Sequence, residues 1–144
     1  MDLRLQPNKW SCLPAALAMV LDVPVKDVIQ GLGHDGSEII WPELPEPLKR
    51  RGFHYQELAA YCIKNRRYLL YFDLAPTQAP NERVTPYVVH GMNETIGQLM
   101  ARYSGILIGR ANHAVAWDGY GILDPVGKSY GLEEFEPVAF LPCV

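Results

Sequence analysis

The sequence predicts an α+β fold in which a helical half packs against a mostly antiparallel sheet. Helical patterns dominate the first part of the chain, where apolar residues recur every three or four positions. Short apolar and β-branched segments at short spacing dominate residues 105–144. Helices followed by strands are typical of α+β domains. Because 144 residues are enough for one domain, we expect residues 1–144 to form a single one.

The first two predicted helices follow a strand-like opening at residues 3–6. The first helix begins at Cys12, and Pro14 falls within its first turn, where a missing N–H costs nothing. Pro24 separates this helix from a second one over residues 25–32, which glycines 31 and 33 close. The apolar face of the first helix is formed by Leu13, Leu17, Val20 and Leu21.

The rest of the helical half is less regular. We predict helices at residues 42–51 and 56–66, and a short strand at residues 53–55. A buried strand follows at residues 67–74, and then a proline-rich loop at residues 75–86. An amphipathic helix at residues 93–103 leads into the strands, which we expect within residues 105–110, 113–124 and 137–144.

Composition excludes several classes of function. A net charge of −3 gives no electrostatic footprint for nucleic acid. No apolar run approaches the length of a membrane span, and Arg4, Gln6 and Lys9 interrupt any signal-peptide core. Three cysteines without a CxxC pair argue for reduced thiols in a cytoplasmic protein. The four histidines lack ligand spacing, so we expect no metal and no cofactor.

A predicted hairpin brings a histidine and a carboxylate together. Asp118 and Gly119, between two apolar runs, are a strong signal for a two-residue turn. Counting outward from that turn places His113 directly opposite Asp124, within reach of a hydrogen bond. Such a pair can also be a satisfied polar contact at a strand end. Asp118 is a competing carboxylate, but it sits in the turn at the other end of the hairpin.

Cys12 stands where a reactive thiolate would be stabilised. A helix N-terminus and a nearby imidazolium both lower the pKa of a thiol, and His113 could supply the second. The backbone N–H of Cys12 and the side-chain amide of Gln6 could bind an oxyanion. The alternative is that Cys12 is a small buried apolar residue, an interpretation that fits Cys62 and Cys143 well.

Together these residues resemble the papain-like cysteine peptidases. Five residues separate Gln6 from Cys12, a histidine follows on a strand, and Asp124 comes after it. More narrowly, CLPAALAMVL followed late by NHAVAWDGYGILDP and GLEEF resembles the bacteriocin-processing peptidases that cut leader peptides after a double glycine. The resemblance implies that Cys12 is the nucleophile, His113 the general base, Asp124 its orienting partner and Gln6 the oxyanion-hole side chain.

Two positions depart from that family. It often has glycine after the cysteine and before the histidine, where this chain has Leu13 and Asn112. The resemblance implies a peptidase that cleaves a peptide or protein substrate through a thioacyl intermediate. Two alternatives stay open: a papain-like binding module without turnover, and a thiol-dependent amidase or acyl transferase. The intact set of four residues argues against the first, and sequence alone does not separate the second from peptide cleavage.

Overall fold

The computed structural model describes residues 1–36, 55–73, 88–89, 94–109 and 113–144. Three of its helices lie in the first half of the chain and one in the second. They are α1 (Cys12–Leu21), α2 (Val25–Leu32), α3 (Tyr55–Lys64) and α4 (Ile96–Arg102). A short 3₁₀ helix, Leu132–Glu134, precedes the last strand.

The strands form one large antiparallel sheet and one small ribbon. In chain order they are β1 (Phe72–Asp73), β2 (Val88–Val89), β3 (Glu94–Thr95), β4 (Gly105–Gly109), β5 (Ala114–Trp117), β6 (Ile122–Asp124), β7 (Lys128–Tyr130) and β8 (Pro137–Pro142). The large sheet has the order β1-β8-β4-β5-β6-β7, and β2 pairs with β3. All of these pairs are antiparallel, so the predicted α+β class is confirmed.

The central strands β4 and β5 of the large sheet are buried on both faces. Side chains alternate along its strands, so Ala114 and Ala116 join the cluster around α1, whereas Val115 and Trp117 join the cluster around α4. The Trp117 indole N–H donates to the Met100 carbonyl at 2.6 Å, which ties α4 to the second face. This arrangement places the start of α1 beside the start of β5.

Helix α1 is the most enclosed helix of the described chain, with every residue from Leu13 to Val20 buried. Because it lies between the sheet and α2, small residues along it allow close approach of both neighbours. It ends at Asp22, which adopts a left-handed conformation with φ 56° and forms an ion pair with Arg4 at 3.1 Å. The predicted bounds of α2 are confirmed, with Gly33 in the left-handed conformation that closes it.

Several predicted elements differ from the structure. No strand forms at residues 3–6, where the Gln6 N–H donates to the Pro125 carbonyl at 3.0 Å. Helix α3 already includes Tyr55, which was predicted to be in a strand. In the described part of the predicted buried strand at residues 67–74, β1 forms at the edge of the sheet and Leu69 makes an isolated antiparallel bridge with Cys143, while Tyr68 is 64% exposed. Helix α4 is shorter than predicted because residues 94–95 pair with β2 instead.

Some predictions fall outside the described residues. These are the helix at residues 42–51, the proline-rich loop at residues 75–86 and the position of Asn112. Within the described ranges, no helix combines the length and the apolar character that crossing a membrane requires. Among the same residues, no three His, Cys, Asp or Glu side chains form a group that could hold a metal ion.

Candidate active site

The hairpin of β5 and β6 carries the histidine and the carboxylate, but its register differs from the predicted one. Ala116 pairs with Leu123 and Trp117 with Ile122, so the turn spans residues 118–121. The Asp118 carboxylate explains the longer turn, because Oδ1 accepts the backbone N–H groups of Tyr120 and Gly121, both at 2.8 Å. The predicted direct opposition of His113 and Asp124 is therefore wrong by two residues.

A shift of two residues preserves the face on which each side chain lies. His113 and Asp124 are diagonal neighbours, and the imidazole Nε2 lies 2.7 Å from Asp124 Oδ1. The Asp124 carboxylate is buried, whereas the His113 side chain remains 29% exposed. The structure thus brings together the two residues that the sequence paired, through a different backbone register.

Asp124 has further partners that fix its orientation. The Tyr130 hydroxyl donates to Oδ2 at 2.5 Å, and the Val126 backbone N–H donates to Oδ1 at 3.1 Å. Burial raises the pKa of this carboxyl, but hydrogen bonds from Tyr130, His113 and Val126 lower it more, and the net pKa lies below its usual value. Asp124 is therefore a carboxylate, positioned to accept from the imidazole.

Tyr130 belongs to this site but was not identified from the sequence. It faces Ile122 in the β6–β7 hairpin, whose turn contains Gly127 with φ 107°. A usable signal was present, because the segment Asp124-Pro-Val-Gly is typical of a turn, and alternation then places Tyr130 on the face of Asp124.

The thiol of Cys12 reaches the same imidazole from the start of α1. It is hydrogen-bonded to His113, and the backbone N–H groups of Ala114 and Leu13 also point at the sulfur. Burial raises the pKa of Cys12. These three contacts and the charge of His113 lower it by more than burial raises it, so the net pKa lies below its usual value. Because Asp124 occupies Nε2, the thiol is left with Nδ1.

The pKa of His113 is shifted in the opposite direction to that of Cys12. The hydrogen bond with Cys12 is the largest influence and raises the pKa of His113, burial lowers it, and Asp124 raises it again, to about 9. A lowered thiol pKa beside a raised imidazole pKa favours a thiolate–imidazolium pair at neutral pH. Such a pair is a nucleophile with its proton donor already beside it.

Gln6 lies near this pair, and its amide is partly engaged by the chain itself. Its Nε2 donates to the Asn8 carbonyl at 2.7 Å, which leaves the second amide hydrogen uncommitted among the described residues. Its Oε1 is buried, and no described group donates to it. Gln6 and His113 both line an open cleft of about 410 Å³, so the amide lies at the edge of the candidate site.

A partly buried polar network supports the turn that carries Gln6 and Cys12. The Asn8 Nδ2 donates to Asp35 at 3.1 Å, and the buried Ser11 hydroxyl lies 2.6 Å from Asn8 Oδ1 and 2.9 Å from the Asp35 carbonyl. A Cβ atom at Gly36 would lie 2.7 Å from the Trp10 carbonyl oxygen, so the two segments touch through backbone. No role was predicted for this loop, since nothing local in the sequence indicates its long-range partners.

The side chains of the other residues singled out in the sequence take no part in the contacts among Cys12, His113 and Asp124. Cys62 and Cys143 are buried at 0% and 1% exposure, and their thiols are hydrogen-bonded to each other. Leu13, which replaces a glycine of the resembled family, is 8% exposed, and its side chain belongs to the core cluster. Asp118 caps the turn at the far end of the hairpin.

The whole fold is similar to that of a solved protein of known activity. This is a double glycine motif protease from an AMS/PCAT transporter, solved in complex with the leader peptide. The similarity has a TM-score of 0.59 and 16% sequence identity, and it covers 99% of this chain and 89% of that chain. No protein-family model and no curated protein matches the sequence. At this identity, the likeness establishes the shared fold.

Proposed function

We propose that this protein is a papain-like cysteine peptidase that cleaves a peptide or protein substrate through a thioacyl intermediate. The observation that carries the proposal is the placement of the Cys12 thiol, at the start of a buried helix, against the His113 imidazole, whose Nε2 lies 2.7 Å from Asp124 Oδ1. The fold shared with a double glycine motif protease supports it. Peptide substrates are also supported by the leader peptide bound to that protein.

The chemistry follows from the positions of the three side chains. The Cys12 thiolate attacks the scissile carbonyl carbon, while the imidazolium of His113 keeps the thiol proton. The C–N bond then breaks as His113 gives that proton to the leaving amine, which leaves an acyl group on sulfur. His113 next removes a proton from water, and the resulting attack releases the acid and regenerates Cys12. Asp124 holds the imidazole in the required orientation and tautomer.

The negative charge that develops on the carbonyl oxygen during attack needs hydrogen-bond donors to stabilise it. The Cys12 backbone N–H is one of the first N–H groups of α1, which have no acceptor within the helix. The uncommitted hydrogen of Gln6 Nε2 is the second donor, since the Asn8 carbonyl already holds the first hydrogen of that amide. In this role Gln6 contributes a preorganised dipole whose removal costs about 10²–10³-fold in rate.

The test is selective alkylation followed by mapping of the label. Limiting iodoacetamide near pH 6 should modify Cys12 and spare Cys62 and Cys143, which are buried and serve as internal controls. In His113→Ala the imidazole is gone and burial dominates, so Cys12 labelling at that pH should fall at least about tenfold. Equal, slow labelling of all three thiols in the wild type would contradict the proposal and favour a binding module.

Turnover is tested with a mixture of internally quenched peptides. Cleavage should disappear in Cys12→Ser and survive in Cys62→Ser, a matched loss of one thiol in the core. Mass spectrometry of the protein during turnover should show an acyl adduct on Cys12. Cleavage that persists in Cys12→Ser would show that another group does the chemistry.

A further inference from the structure

The open cleft beside the imidazole is lined by apolar surface that the catalytic chemistry does not use. Leu5 and Val126, from the two chain segments that line it beside His113, are 62% and 54% exposed, high values for large apolar side chains. A backbone hydrogen bond joins the two segments, because the Gln6 N–H donates to the Pro125 carbonyl at 3.0 Å. Leu5 also packs over Gly127, where an added Cβ would lie 3.4 Å from its Cδ2. These two contacts therefore hold the apolar surface of the cleft in place.

The charge of the cleft has one sign. Lys9 lines it and makes no ion pair with any described residue, and its Nζ lies 5.1 Å from the centroid of the Trp10 ring. No acidic residue lines the cleft among the described residues. The carboxylate of Asp124 is buried behind the imidazole, with both oxygens engaged. A ligand in this cleft therefore meets the ammonium group of Lys9 and, among the described residues, no acidic side chain in the lining.

The position of the cleft relative to the thiol gives its orientation. His113 lines it together with Pro125 and Val126, which directly follow Asp124, the partner of the imidazole Nε2. The thiol contacts the other ring nitrogen, so the cleft lies on the side of the imidazole away from the sulfur. In acyl transfer the acyl part of the substrate stays on sulfur, and the leaving amine receives its proton from the imidazole. The part of the substrate beyond the imidazole is therefore the leaving segment.

We propose that this cleft binds the substrate residues that follow the scissile bond, and that it selects an apolar side chain over Leu5 and Val126 together with an acidic side chain beside Lys9. This specificity rests on the proposed peptidase function. Its energetic basis is desolvation of an apolar side chain and one exposed charge pair. Effects of about three- to tenfold in kcat/KM are expected for each, with the charge effect reduced by salt.

The experiment uses one peptide that the wild type cleaves, varied only in the two residues after the cleavage point. Leucine should be preferred to serine at the first position, and glutamate to lysine at the second, each about three- to tenfold in kcat/KM. In Lys9→Glu the second preference should reverse, while Lys64→Glu, an exposed lysine at the end of α3, should leave it unchanged. The charge preference should shrink in about 0.5 M salt.

Three results overturn the proposal in distinguishable ways. If glutamate and lysine peptides are cleaved at the same ratio by wild type and Lys9→Glu, the cleft does not select charge, and the peptidase function stands. A second peptide set, varied only before the cleavage point, gives the other exclusion: if Lys9→Glu changes the preference there instead, the cleft is not the site for the leaving segment. If the wild type cleaves no peptide and Cys12 is never acylated, the proposed function is wrong and the specificity fails with it.

Discussion

The imidazole of His113 is hydrogen-bonded to a thiol at one ring nitrogen and to a carboxylate at the other. Each contact favours the protonated ring, and together they outweigh the burial that opposes it. The same proton is shared with Cys12, whose pKa is lowered. Cys12 and His113 are therefore an acid–base pair, and Asp124 holds the imidazole in place. The directions of their pKa shifts predict the pH dependence of the site.

The pH profile of kcat/KM should be bell-shaped, with the alkaline limb near pH 9. His113 has a pKa raised to about 9, so above that pH the ring loses the proton that the proposed mechanism gives to the leaving amine. The pKa of Cys12 is lowered, so the acid limb should lie below the usual range of a thiol, and the plateau should include neutral pH. Initial rates at constant ionic strength measure both limbs. A profile that rises only above pH 9 would contradict a preformed thiolate.

Tyr130 is a positioning residue in this arrangement. In Tyr130→Phe, Asp124 Oδ2 loses its hydroxyl donor, and an unpartnered buried acceptor costs about 1–3 kcal/mol. Without this donor the carboxylate of Asp124 is no longer held in one orientation, so its hydrogen bond with the imidazole should weaken and kcat should fall about three- to tenfold. The alkaline limb should also move to lower pH, a readout that a merely structural role would leave in place.

The control for Tyr130→Phe is Tyr120→Phe, which removes the same hydroxyl from a side chain that is 94% exposed. It should change neither kcat nor the alkaline limb. If both variants behave like the wild type, the Tyr130 hydroxyl does not position Asp124.

At the scale of elements, the order of helices and strands could be predicted, but their long-range pairing could not. The bounds of α2 followed from Pro24 and Gly33, which act locally. The meeting of His113 and Asp124 was predicted through the wrong register, because the Asp118 side chain lengthens the turn. The contact survived because alternation has a period of two, and the register differed by two. Local sequence patterns therefore predicted the face of the sheet on which a side chain lies better than they predicted the residue opposite it on the neighbouring strand.

The loop at residues 34–36 is the least predictable part of the site, and a pair of glycines tests its role. Gly36→Ala should destabilise the fold by about 2–4 kcal/mol, because it combines a left-handed φ of 94° with a Cβ at 2.7 Å from the Trp10 carbonyl. Since Trp10 precedes Ser11 and Cys12, kcat should also fall. Urea unfolding and peptide turnover measure the two effects.

Gly33→Ala is the matched control, with a similar φ of 83° but no atom within 4 Å of the added Cβ. It should cost only the conformational penalty of about 1–2 kcal/mol and leave turnover unchanged. Equal losses of stability and activity in the two variants would mean that the contact with Trp10 has no role in holding the site.

At the scale of the molecule, the core surrounding α1 joins distant parts of the chain. Cys62 on α3 and Cys143 after β8 belong to the same buried cluster as α1 and β5. The Arg67 guanidinium donates to the Cys143 carbonyl at 2.8 Å, and the Arg67 backbone N–H donates to the Cys62 carbonyl at 2.9 Å. The two cysteines are therefore held by one connection between the helical half and the last strand.

The three thiols should accordingly report two different events during unfolding in urea. Cys12 is partly exposed, and its pKa is lowered, so it should react with a disulfide reagent before any loss of secondary structure. Cys62 and Cys143 should become reactive together, at the midpoint of the loss of helical circular dichroism, because exposing either one requires separating α3 from the last strand. Cys12→Ser, which removes the early phase alone, is the control. Reaction of Cys143 well before Cys62 would show that the last strand detaches independently and that the two halves do not unfold as one unit.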